Sequence, residues 1–390
     1  MRATRALVDL DAIAGNVAAL RRVIPEQTRL LAVVKADAYG HGAPQVAATA
    51  LAAGASALGV ATVSEGQVLR RCGITAPILI LSSIDPSDVA PAIAAGLEIT
   101  VAEPSLLDVV EREAAASASA RVAMHVKVDS GLRRYGALPE VALHLARRID
   151  QHPHLTLAGL ATHFASSDEP EEPFTAQQYA VYQRVVTELA GEGITAGCCH
   201  VSNSAALITG VGVELGMVRA GIALYGVPPS DDVPMPPGMR SAMRLESRVA
   251  RVTPLLPGDT VGYNRTWRAD TAMQAVLTPI GYADGYRRGL FGRVWAGLGG
   301  RQAPLLGRVS MDQTVFAVPD GVTAQPGDTI HLMGRPEDGA PTAADLAGLL
   351  DTNTYEVLVG WRARIPRVYL LDGEVVAVKR PEAAPWEEAP

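Results

Sequence analysis

The sequence predicts an α/β fold, a (β/α)8 TIM-type barrel followed by a mainly β C-terminal domain, on three observations. Short apolar runs recur eight times in the first 225 residues, at 30–34, 57–61, 77–81, 97–101, 122–128, 157–161, 198–202 and 217–224. Segments with helical periodicity lie between them, the alternation that builds parallel sheets. After Gly226 the helical period largely gives way to alternating β-branched runs separated by turns. A doubly wound open sheet accommodates the first alternation as well as a barrel does, so strand count by itself leaves both open.

The elements follow in order. Residues 11–24 place Ile13, Val17, Leu20 and Ile24 on one helical face, with Asp11 as the N-cap. The first apolar run, "LLAVV", leads directly into Lys35 and the loop "KADAYGHG". A cation is costly to hold in an apolar setting. At the face where barrel enzymes place their chemistry, apolar neighbours would depress the pKa of this amine and suit it to Schiff-base formation. The plainer reading is a lysine that turns into solvent. The uncharged stretch 42–64 is rich in Ala, Gly, Ser and Thr and reads as helix, turn and strand, not as a bilayer span. Residues 175–190 put Tyr179, Tyr182, Val186 and Leu189 on one packing face before Gly191 and Gly193 end the helix.

The seventh and eighth runs suggest an anion site. "HVSNSAAL", 200–207, sets Asn203 and Ser204 at a helix start, and "MVRAGIALYG", 217–226, sets Gly221 close behind the strand-borne Arg219. Helix starts and exposed backbone N–H groups bind phosphate, and barrels often do so after these two strands. An ordinary cap and turn explains either piece alone. In a closed barrel, however, the lysine of strand one and a cradle on strands seven and eight are neighbours, which suggests pyridoxal phosphate. Arg219 cannot shed its charge and needs a fixed acceptor, either the ring nitrogen of that cofactor or a structural carboxylate.

The proline-rich segment "VPPSDDVPMPPGMR" reads as a linker. It divides a barrel domain at 1–230 from a mainly β domain at 231–380, with residues 1–10 able to pair with the latter and 381–390 a disordered tail. Strands are expected in 245–255, 272–280, 305–309, 366–370 and 374–378, with one helix at 342–350 and two "PGDT" turns at 257–260 and 326–329. The 390 residues suffice for two cores, and the net charge of −7 is spread without a basic block, which argues against nucleic acid or an anionic membrane as partner. "MRATRALVDLDAI" lacks the apolar core of a signal peptide, and Cys72, Cys198 and Cys199 form no disulfide framework, so a reducing cytoplasm is expected. His152 and His154 flank Pro153 with no third ligand at metal spacing, so no metal is expected.

"AVVKADAYGHG", "VKVDSGLRRYG", "THFASSDE", "SNSAAL", "VRAGIALYG", "VGYNRTW", "IGYADGY", "SMDQ" and "YEVLVGWRARIPRVY" together resemble the bacterial alanine racemases, in order and from the first helix to about residue 370. The resemblance implies a fold-type III pyridoxal 5'-phosphate enzyme that interconverts L- and D-alanine and supplies D-alanine for peptidoglycan. It implies a cytoplasmic homodimer with shared active sites. Residue by residue, Lys35 would carry the cofactor and share the acid–base work with Tyr263, which would reach the barrel of the other subunit. Cofactor contacts would fall on Tyr39, His163, Asn203, Ser204, Arg219, Gly221, Ile222 and Tyr355. Arg134 would lie near the phenol oxygen of the cofactor and the substrate, and Lys127 matches a lysine often carbamylated in the family. Tyr282, Met311 and Asp312 match partner-subunit residues at the substrate entrance and carboxylate site. Ser310 stands where the family often has cysteine and Arg133 where a small residue is common. Both positions border the site and bear on substrate preference. Three alternatives stay open: a racemase preferring serine or a basic amino acid, a related decarboxylase, and a non-catalytic carrier of the cofactor. The decarboxylases place a glutamate opposite the ring nitrogen, and the carriers have no β domain.

Overall fold

The computed structural model describes residues 2–117 and 121–381, so that 382–390 of the expected tail lie outside the described residues. The chain forms two compact units, one made of Ala12–Ala38 and Ala43–Arg240, the other of the N-terminal segment up to Asp11, Tyr39–Gly42 and the chain from Ser241 onward.

The first unit holds eight parallel strands, here labelled β1 (Arg29–Val33), β2 (Ala57–Val60), β3 (Ile78–Ile80), β4 (Glu98–Val101), β5 (Val122–Lys127), β6 (Leu155–Ala161), β7 (Cys199–His200) and β8 (Met217–Ala220). Their order is β7-β6-β5-β4-β3-β2-β1-β8. The ring is nearly closed, because the Arg219 N–H in β8 donates to the Ser202 carbonyl just beyond β7 at 3.0 Å. Leu30, Leu31 and Ala32 are fully buried, as in a strand covered on both faces, and this explains the unbroken apolar run. Helices Ala43–Ala52 and Val63–Arg71 flank β2, so the uncharged stretch 42–64 is helix, turn and strand. Among the described residues no helix is long and apolar enough to cross a membrane.

The first helix spans Leu10–Arg22 and buries Ile13, Val17 and Leu20. It starts one residue before Asp11, which is therefore not its N-cap; Asp11 Oδ2 instead accepts the Asp372 N–H at 2.7 Å. The helix Phe174–Gly191 buries Tyr182, whose hydroxyl donates to the Leu160 carbonyl at 2.8 Å, and stacks it on Tyr179. The proline-rich segment contains no helix or strand but is not a free tether. Val233 is fully buried, and Asn16 donates to the Arg240 carbonyl and accepts its N–H, both at 3.0 Å.

The second unit is a ten-stranded sheet in the order Arg251–Leu255, Met273–Thr278, Thr314–Ala317, Arg301–Leu306, Trp295–Leu298, Thr329–Met333, Met243–Arg248, Arg5–Asp9, Arg367–Leu371, Glu374–Lys379. The N-terminal strand lies inside it, antiparallel to Met243–Arg248 and parallel to Arg367–Leu371. The expected run 245–255 is two strands broken near Val249, and the run expected at 305–309 sits at 301–306. Helix Ala343–Leu350 is joined by a second short helix, Thr354–Val359, that the β-rich pattern did not reveal. The two "PGDT" turns are built alike: Asp259 and Asp328 each accept a backbone N–H three residues back, at 2.8 and 2.9 Å.

A buried carboxylate ties the N-terminus to this sheet. Asp284 is fully buried and receives both Nη groups of Arg2, at 2.6 and 2.7 Å, and the Gly281 N–H at 3.1 Å. Arg364 Nε stands further off at 3.5 Å. Arg2→Ala is expected to cost about 2 kcal/mol, less than a fully buried pair because Arg2 is partly exposed. Chemical denaturation checks this, and an unchanged midpoint would show that Arg364 satisfies the carboxylate alone.

Candidate active site

Lys35 follows Val34, the fully buried residue just beyond β1, and is half-buried. The chain beyond it takes an unusual path. Ala36, Asp37, Ala38 and Tyr39 all adopt positive φ, from 51° to 55°. Each such L-residue costs roughly 1–2 kcal/mol, so the left-handed turn needs support from outside itself. Glu65 supplies much of it: one carboxylate oxygen accepts the Ala36 N–H at 2.7 Å, and the other accepts the Ala61 N–H at 2.7 Å. Asp37 Oδ1 accepts the Ala43 N–H at 2.9 Å, and the Ala38 N–H returns to the Val34 carbonyl at 2.9 Å. Glu65 was legible only as the last residue of a capping box with Thr62, since its reach across to residue 36 depends on tertiary structure.

Burial holds the Lys35 amine below its usual value; the charge of Arg134 adds to this and Glu65 opposes it. Lys127, at the end of β5, is pulled further, to about 7, by burial and then by Arg219, Arg134 and Lys35. Its Nζ lies 3.5 Å from the Leu81 carbonyl and 5.2 Å from the centroid of the Tyr135 ring. Arg134 is exposed on the loop after β5, and its neighbour Arg133 takes a positive φ of 56° and sits 3.8 Å from Asp129.

Arg219 projects from β8 into the barrel and is 6 % exposed. Among the described residues no carboxylate meets it. Nη1 donates to His200 Nδ1 and the His200 carbonyl, both at 2.9 Å. Nη2 has the Thr162 and Val201 carbonyls at 2.8 and 2.9 Å and His163 Nδ1 at 3.1 Å. All five bonds use Nη1 and Nη2, so Nε–H remains as the donor not engaged by them. Burial lowers the guanidinium to about 10, which leaves it charged at neutral pH. His163 and His200 are both held well below the ordinary histidine range, first by burial and then by the Arg219 charge. The sequence reading identified His163 but passed over His200, although "CCHVS" places its side chain on the same strand run that precedes Asn203.

Asn203 caps the helix Ser204–Thr209: its Oδ1 accepts the Ala206 N–H at 3.0 Å and the Ser167 hydroxyl at 2.8 Å. Ser204 Oγ accepts the N–H groups of Gly221 and Ala223 at 2.9 and 3.2 Å. With both lone pairs used, its own proton is left to donate. Ile222, between these two donors, is fully buried. The donor set of Ser204 hydroxyl, Arg219 Nε–H and a partly desolvated lysine amine fits a phosphorylated pyridine aldehyde, and no group here conflicts with one.

The remaining candidates lie in the second unit. The rings of Tyr39 and Tyr355 are 6.0 Å apart, and burial, then Tyr355, pushes the Tyr39 phenol above its usual range. Tyr355 stands in the short helix Thr354–Val359. Tyr263 is 69 % exposed; with Gly262, Ser310, Met311, Asp312 and Gln313 it lines a cavity of about 530 Å³. The N–H groups of Tyr282 and Ala283 donate to the Ser310 and Met311 carbonyls, both at 3.0 Å, so Tyr282 is fixed beside the same loop. Asp312 Oδ1 accepts Arg364 Nη2 at 2.7 Å. The second unit thus gathers Tyr263, Tyr282, Met311 and Asp312, and the first gathers Lys35, Lys127, Arg134, His163, Asn203, Ser204, Arg219, Gly221 and Ile222. Among the described residues no cluster of three or more His, Cys, Asp or Glu side chains could hold a metal.

Residues 8–229 match the family described as alanine racemase, N-terminal domain, and residues 242–369 match alanine racemase, C-terminal domain. An alanine racemase of Symbiobacterium thermophilum is 40% identical over 370 residues, covering 95% of this chain and 97% of its own. The crystal structure of alanine racemase from Bacillus anthracis with bound L-Ala-P superposes with a TM-score of 0.91 at 35% identity, covering 97% of this chain and 98% of that one. A histidine racemase from Leuconostoc mesenteroides gives a TM-score of 0.86 at 25% identity, covering 95% and 98%. With both domain families matched in order and two-fifths identity along nearly its whole length, the chain belongs to the alanine racemase family of enzymes.

Proposed function

We propose that this protein racemises alanine with pyridoxal phosphate as cofactor, in the cytoplasm, and so supplies D-alanine for peptidoglycan. The observation that carries the reading is the set of groups at the strand ends of the barrel: a lysine amine of lowered pKa, a buried arginine held by carbonyls and imidazole nitrogens, and a serine hydroxyl left to donate. When bound, the cofactor supplies the electron sink that makes the α-proton of an amino acid labile. Lys35 would hold it, Ser204 and the backbone around Gly221 and Ile222 would hold its phosphate with help from Asn203, Tyr39 and Tyr355, and Arg219 would face its ring nitrogen with His163 beside it.

Inversion needs one group to remove a proton from Cα and another to return one to the opposite face, with no net proton change. Lys35 Nζ and Tyr263 Oη would be this pair, one amine and one phenol. An arginine at the ring nitrogen keeps its own proton and leaves that nitrogen without one, which limits how far electrons are withdrawn and disfavours transamination. A carboxylate there would do the opposite, which argues against the decarboxylase reading. Arg134, Tyr282, Met311 and Asp312 would receive the substrate. The Leuconostoc histidine racemase keeps the same fold at 25% identity, so a second substrate reading, serine or a basic amino acid, is tested alongside. Purified protein given L-alanine should yield D-alanine, followed by optical rotation and enzymatic detection of the D-enantiomer, with no gas released. Borohydride should fix a pyridoxyl group on the peptide containing Lys35. Label on another lysine would overturn the assignment, and faster turnover of serine or histidine in a substrate panel would favour the second reading.

Tyr263 and Met311 are 69 % and 54 % exposed, which suits a face covered by a second chain. A two-fold homodimer in which Tyr263 of each chain completes the Lys35 site of the other follows from this and from the family. Lys35→Ala and Tyr263→Phe should each be nearly inactive alone. Refolded together in equal amounts, about half of the dimers are hybrids with one intact site, giving roughly a quarter of wild-type activity. Verified hybrids without recovered activity would refute the shared site.

Lys127 would carry a carbamate that pairs with Arg134. An amine near 7 is largely unprotonated just above neutrality, and only that form adds carbon dioxide. Bicarbonate should therefore stimulate activity increasingly as pH rises through about 7, and Lys127→Ala should abolish the stimulation. Electron density ending at a bare amine in crystals grown with bicarbonate above neutral pH would count against the modification.

A further inference from the structure

A chain of hydrogen bonds continues from Arg219 away from the proposed cofactor site. Beyond His200, whose Nδ1 meets the guanidinium, His200 Nε2 lies 2.9 Å from His125 Nδ1, and His125 Nε2 lies 3.0 Å from Glu98 Oε2. His125 projects from β5 and Glu98 stands at the first residue of β4. The two imidazoles are buried, whereas the Glu98 side chain is 22% exposed. The chain thus runs from a solvent-touching carboxylate to the buried guanidinium.

The direction of every proton in it follows from one fact. An arginine nitrogen can only donate. His200 Nδ1 must then accept, so its proton sits on Nε2 and points at His125 Nδ1. That nitrogen must accept in turn, which puts the His125 proton on Nε2, facing the carboxylate of Glu98. Either imidazole in its other tautomer would set two protons or two lone pairs against each other. Neutral His200 agrees with its strongly lowered pKa, caused by burial and then by Arg219. Burial alone would raise Glu98, yet the hydrogen bond from His125, with the charges of Arg29 and Arg70, brings it below the usual carboxylate value.

The backbone makes room for this chain. Pairing of β5 with β6 skips Ala158, so that His125 lies opposite Gly159. A Cβ at Gly159 would stand 2.2 Å from His125 Nδ1 and 2.8 Å from the Cys198 carbonyl. A one-residue bulge and a glycine thus coincide where the two imidazoles meet, which is how strands re-aim a side chain.

We propose that Glu98 is a positioning residue for the reaction, acting through His125 and His200 to fix the tautomer that accepts from Arg219 and so the orientation of its guanidinium. The proposal rests on the reading that Arg219 faces the cofactor ring nitrogen. Glu98 balances the arginine charge through two neutral rings, without placing a carboxylate beside Arg219 where it could compete for the proton.

Nitrogen NMR of histidine-labelled holoenzyme, assigned with His125→Gln and His200→Asn, should show both rings neutral and protonated at Nε2. Glu98→Leu should change the His125 signals, shift the absorption of the bound cofactor and lower kcat roughly tenfold, the equivalent of one net hydrogen bond, with KM little changed. Glu98→Gln, which keeps an acceptor oxygen and the shape of the side chain, should retain the tautomers and recover much of the rate. A charged or Nδ1-protonated ring in the wild type overturns the proposal, as do unchanged histidine signals in Glu98→Leu. Altered tautomers with unaltered absorption and kcat overturn the positioning role. If Arg219→Lys holoenzyme keeps wild-type absorption, the failure lies instead in the placement of Arg219 at the ring nitrogen, while the NMR result on the relay stands.

Discussion

A guanidinium that cannot lose its proton, held inside a barrel, is the constraint around which this unit is arranged. Arg219 must be fully satisfied where it is buried, because an unmatched charge there would cost several kcal/mol. The barrel answers with carbonyls at the ends of neighbouring strands, from Thr162, His200 and Val201, and with two imidazole nitrogens. These acceptors carry no formal charge. The arginine is therefore solvated by dipoles, keeps its positive field, and depresses the pKa of the basic groups around it, His163, His200 and Lys127 among them.

Burial and neighbouring cations, Arg134 beside Lys35 and Arg219 with Arg134 beside Lys127, act alike on the two lysines. Like charges in a low-dielectric setting repel, and the repulsion is relieved when the amines give up protons. A lysine is ordinarily a poor nucleophile at neutral pH for want of a free lone pair. Here burial and neighbouring cations lower the pKa of both amines, so concentrating positive charge favours the unprotonated form at Lys35 and Lys127.

Backbone strain complements the electrostatics. Four successive residues after Lys35 are in the left-handed region; the Glu65 carboxylate takes the Ala36 N–H, the Val34 carbonyl takes the Ala38 N–H, and Asp37 of the turn accepts the Ala43 N–H at the start of the next helix. One helix-capping glutamate thereby links the loop after β1 to the loop after β2. In the other unit a buried carboxylate plays a comparable part, with Asp284 binding the Arg2 guanidinium and the Gly281 N–H next to Tyr282. In both places a charged group inside the fold organises loop backbone that regular hydrogen bonding cannot.

Local pattern was sufficient for the barrel strands, because each is a short apolar run closed by a turn, and for the positions of Lys35, Asn203, Ser204 and Arg219 on or just beyond the first, seventh and eighth of them. It was sufficient for the paired "PGDT" turns, whose Asp side chains bond within four residues. The partners of Arg219 were beyond it. His200, His125 and Glu98 come from three different strands, and a hydrogen bond between them depends on strand register and on the bulge at Ala158, which alternation of apolar and polar residues does not encode. The same limit hid the reach of Glu65 to residue 36, the true partner of Asp11, the short helix carrying Tyr355, and the strand order of the second sheet. Residue type and spacing set which chemistry each side chain can offer; register and burial decide which other groups it meets and in which protonation state.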